Sequence, residues 1–73
     1  MRLSWQAEDV LGIFRQLEKR PGQHVGYDEL WHRLASVIMV ADGVKALAED
    51  GLVIKHDHDA ELTNTGYELM RAA

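Results

Sequence analysis

The chain has 73 residues and no cysteine, so disulfides and thiolate metal sites are excluded. Hydrophobic residues make up 47% and charged residues 27%, a balance that suits a globular chain and not a disordered one. Eight Lys and Arg stand against twelve Asp and Glu, a formal charge of −4 with His neutral. That balance argues against strong sequence-independent attachment to nucleic acid, where phosphate neutralisation supplies most of the energy, although a local basic face on an acidic body remains open.

A chain of this length holds one domain, spanning 1–73. A domain this small hides only about 60% of the surface its unfolded chain exposes, so nearly every apolar side chain is needed for the core. The longest uninterrupted apolar run, Val37 to Ala41, is far too short to span a membrane. The start, MRLSWQAED, lacks the apolar stretch of a secretory signal. A cytoplasmic location and no membrane partner are the resulting expectations.

In chain order, the pattern predicts a first helix over 5–19. Val10, Ile13, Phe14 and Leu17 recur at i, i+3, i+4 and i+7 and form one apolar stripe. Ser4 is placed to cap the start, and Pro21-Gly22 to stop the helix. Gln23 to Gly26 reads as a brief extended segment with Val25 pointing inward. A second helix runs from about Tyr27 or Asp28 to Ala35, with Leu30 and Leu34 as an inward pair and Trp31 half-buried beside them.

Ser36 then caps a third helix over 37–50, with Val37, Val40, Val44, Leu47 and Ala48 as its inward stripe. Gly51 ends this helix in a left-handed conformation. Gly43 inside it lowers helix propensity by roughly 1 kcal/mol relative to Ala, which points to a close neighbour at that position. Leu52 to His56 reads as a strand, Asp57 to Asp59 as a turn, and Ala60 to Thr63 as the returning strand. A last helix starts at Thr63 or Asn64.

Three stretches in this order resemble the winged helix-turn-helix superfamily of bacterial transcriptional regulators. They are Leu30-Trp31-His32-Arg33-Leu34, the run from Val40 to Val53, and Leu62-Thr63-Asn64-Thr65-Gly66-Tyr67-Glu68-Leu69, which is similar to an LT-x-x-G-x-x-L exit. The resemblance covers residues 8 to 70 and specifies no subfamily. It implies a mostly α (α+β) fold: a three-helix core, a two-stranded β-wing and a C-terminal helix. It also implies binding of double-stranded DNA in transcriptional control, with helix three in the major groove. By position, the DNA-facing residues are then Arg33, Ser36, Met39, Asp42, Lys45, Lys55, His56 and His58.

Family members often carry Ser, Thr, Arg or Gln where this chain has Met39, Asp42 and Gly43. A second reading therefore stands beside the first: a protein-interaction module on the same fold, using Ile38, Met39 and Trp5. Trp5 serves either a homodimer through the first helix or cover for the small core. His56 and His58, with Asp57 and Asp59, invite a metal reading, but two His and a turn fall short of a full ligand set, so no metal is expected. No Gly-rich phosphate loop and no triad spacing occurs; neither catalytic residue nor cofactor is expected, and the chain does not read as an enzyme.

Overall fold

The computed structural model describes residues 2–72, as four helices and a three-stranded antiparallel sheet in the order α1, β1, α2, α3, β2, β3, α4. Helix α1 spans Trp5–Gln16, and the Ser4 hydroxyl caps it by accepting from the Ala7 amide at 3.2 Å. Its end comes three residues before the expected one. Glu18 takes a left-handed φ of 54°, its amide donates to the Arg15 carbonyl, and the Lys19 amide donates to Phe14. This is the paired closure that usually uses glycine. With Glu at the left-handed position, the sequence carried no stop signal before Pro21.

Helix α2 spans Tyr27–Leu34 and ends at Ala35, which is also left-handed. Helix α3 spans Val37–Glu49 and is capped by the Ser36 hydroxyl, which accepts from the Met39 amide at 3.1 Å. It closes as α1 does: the Gly51 amide donates to Ala48 and the Leu52 amide to Leu47, with Gly51 at φ 74°. One member of its expected inward stripe is misplaced. Val37, in the first turn of α3, is 59% exposed, whereas Val40, Val44 and Leu47 are buried and Ala48 packs partly buried against the core.

The sheet has one strand more than the expected two-stranded wing. The hairpin of β2 (Val53–Lys55) and β3 (Asp59–Leu62) is joined by β1 (His24–Gly26) on the far side of β3. Val25 pairs with Ala60 and both are buried, so the apolar residue in the short segment after α1 holds β1 in register. Helix α4 spans Asn64–Ala72. The Thr63 hydroxyl accepts from the Gly66 amide at 3.0 Å and faces the carbonyls of Gly51 and Leu52 at 2.7 and 2.9 Å. A Cβ at position 66 would strike the Leu52 carbonyl. The LT-x-x-G stretch is thus a helix cap joined to a close backbone approach.

The core gathers residues from every element around Phe14, Leu30, Leu47, Leu52 and Leu62, and among the described residues no charged or polar side chain is buried in it. Helices α1 and α3 meet at Gly43, where a Cβ would come within 2.6 Å of both the Gln6 carbonyl oxygen and Val10 Cγ2. Arg15 fastens α4 to α1 by donating from Nε and Nη2 to the Met70 carbonyl at 3.1 and 2.7 Å.

Two glycine-to-alanine changes should therefore have opposite signs. Gly43→Ala gains about 1 kcal/mol of helix propensity but forces backbone apart, an overpacking cost of about 1–3 kcal/mol, so the variant is expected to be less stable. Gly12→Ala lies mid-helix with nothing within 4 Å of the added carbon and should be more stable by up to about 1 kcal/mol. Urea unfolding midpoints compare the two directly.

Candidate functional site

The hairpin, α2 and the start of α3 meet around a small cleft of about 100 Å³. Tyr27 and Trp31 from α2 form one wall, Val37, Val40, Ala41 and Val44 from α3 the other, and Lys55 stands at the rim. Tyr27 and Trp31 stack with ring centres 6.5 Å apart. Beyond the cleft the apolar surface continues: Ile38 is 76% exposed and Trp31 38%. The open side of α3 reads Val37, Ile38, Ala41, Asp42, Lys45 and Glu49. It holds one lysine against two carboxylates.

The residues expected to face DNA are spread over this surface and the hairpin. Ser36 spends its hydroxyl oxygen on the helix cap. Arg33 is held by Glu29, four residues earlier, at 3.2 Å. Lys45 and Lys55 are exposed, and among the described residues neither has a carboxylate within the 4 Å of an ion pair. Asp42 is exposed and Met39 is half-buried. Of the residues expected to meet a protein, Ile38 is open to solvent, and Trp5, 62% exposed, gives the core little cover.

His56 and His58 line the same shallow depression, but only His56 joins the close cluster around Glu61. The chain bends between them, leaving His58 exposed at the turn, while His56 folds back over the outer face of the sheet. There its ring stacks on His24, with centres 5.1 Å apart, and its Nε2 lies 3.0 Å from Glu61 Oε1. His24 Nδ1 lies 2.8 Å from Asp59 Oδ1, and its Nε2 lies 3.5 Å from the same Glu61 oxygen. This cluster was not legible from spacing along the chain, because His24 comes from β1 and enters only through pairing with β3.

Tyr27 links the two regions. Its hydroxyl donates to the His56 carbonyl at 2.7 Å, and its amide donates to the His58 carbonyl at 3.0 Å. Burial of the phenol, then the charges of Asp59 and Asp57, raise its pKa above the ordinary value of 10.0. The hydroxyl thus remains a donor throughout the neutral range.

No protein-family model, curated protein or solved structure matches this chain.

Tyr27→Phe removes the bond to the hairpin and should cost about 0.5–1.5 kcal/mol at neutral pH. The folded-state pKa lies above the unfolded one, so this contribution is intact below pH 10 and is lost as pH rises through the folded value. Urea unfolding at pH 7 should separate the two proteins, and the gap should narrow above pH 10.

Proposed function

We propose that the domain is a winged helix-turn-helix module whose α2–α3 face docks a protein partner. In this reading α2 and α3 are the helix pair and the β2–β3 hairpin is the wing. The observation that carries it is the apolar surface on α3, where Val37 and Ile38 are 59% and 76% exposed beside an apolar cleft. A helix that reads base edges uses Arg, Lys, Asn or Gln there, and its neighbours neutralise phosphates. Isoleucine and valine in those places instead favour an apolar anchor from a protein surface. A cleft of about 100 Å³ suits a single aliphatic or aromatic side chain, and Lys55 at its rim suits a carboxylate beside that anchor.

DNA binding is the second reading. It is favoured by Lys45 on α3 and Lys55 at the cleft, exposed cations that no carboxylate holds among the described residues. The two readings separate experimentally. Peptides selected from a random display library against the domain should share an apolar residue next to Asp or Glu. Ile38→Glu should weaken them by about tenfold or more, the scale of one interface anchor, with an unchanged melting curve. In parallel, amide resonances of residues 36–46 and 55–59 should stay in place on adding generic duplex DNA at low salt. If those resonances move instead, with a steep salt dependence, the DNA reading replaces this one.

A further inference from the structure

We propose that the outer face of the sheet binds one divalent transition-metal ion, with zinc the best match, through His24, His56 and Glu61. Strand alternation assembles the set. On β3, Ala60 and Leu62 turn into the core, so Asp59 and Glu61 turn out. His24 on β1 is the direct cross-strand partner of Glu61. His56, just past β2, donates its amide to the Asp59 carbonyl, which sets it opposite Asp59 and diagonal to Glu61. Two carboxylates on the central strand are thereby flanked by one imidazole from each side.

The separations fit a small ion. Tetrahedral coordination at about 2.1 Å places ligand atoms about 3.4 Å apart. Glu61 Oε1 lies 3.5 Å from His24 Nε2 and 3.0 Å from His56 Nε2, and one ligand atom from each of the three residues lies within 4.8 Å of the others. The imidazoles lie nearly parallel, 18° apart, so rotation of the exposed rings must turn their lone pairs toward a common centre. A further feature matches metal chemistry. Asp59 Oδ1 sits 2.8 Å from His24 Nδ1, which places the proton on Nδ1 and frees Nε2 as a ligand. Carboxylates behind ligating histidines serve this purpose in metal sites. Two nitrogens and one oxygen suit zinc better than calcium or magnesium, which prefer all-oxygen shells. The fourth position faces solvent and takes water. This inference is independent of whether the α3 face meets protein or DNA.

The test is calorimetric titration of the purified domain with zinc chloride, paired with the visible absorption of the cobalt(II) form. One ion per chain and cobalt bands of four-coordinate intensity are expected. His24→Gln, His56→Gln and Glu61→Gln should each weaken zinc by about 100-fold or abolish binding. Asp59→Asn, which leaves the ligands in place, should weaken it by about 10–100-fold. His58→Gln and His32→Gln should bind as the parent does. All these side chains lie on the surface, and circular dichroism checks that each variant is folded. Absence of heat and of cobalt bands up to millimolar metal overturns the proposal. So does one ion per two chains, undiminished binding by His24→Gln, or loss of binding in His58→Gln.

Discussion

The arrangement depends on how closely α3 approaches α1. At Gly43 the two backbones come so near that no side chain fits between them. That contact lets Val40, Val44 and Leu47 reach Val10 and Phe14 in a chain too short to afford a thick core. It also fixes which side of α3 is spent on the interior. The opposite side, with Ile38, Asp42 and Lys45, is what the molecule presents, and its chemistry is the basis for reading this face as a protein-docking surface.

The sheet follows from the same economy. Its inner side is supplied by single small or branched residues, Val25, Val53, Ala60 and Leu62. Because alternation has a period of two, burying those residues commits their neighbours to the outside. The cluster of His24, His56, Asp59 and Glu61 is thus a by-product of core burial in its placement. Its composition, with imidazoles facing carboxylates across each strand, is what gives it a chemical use.

Much of the fold was legible where a local signal coincided with burial. Ser4 and Ser36 cap the helices expected of them, Gly51 closes α3, and Val25 points inward. The exceptions have physical causes. The end of α1 rests on Glu18 in a conformation that its residue type does not advertise. Val37 fits an inward period but lies in the first turn of α3, at the wall of an open cleft and not in the core. The short strand before α2 was expected, but its pairing with β3, 35 residues later, was not. Spacing along the chain paired His56 with His58, whereas the pairing of both edge strands with β3 brings its ring onto that of His24. Register is a non-local property, and no window on the sequence contains it.

The strand order β1-β3-β2 puts the strand made last in the middle. Neither β1 nor β2 has an inter-strand partner until residues 59–62 exist, so no part of this sheet can form during synthesis of the first four-fifths of the chain. Helix pairing is available early; the β2–β3 hairpin can then close over its own short turn, while β1 must wait for β3. The outer sheet face, which needs His24 of β1, is therefore completed late, by loop closure across a separation of 35 positions between His24 and Asp59.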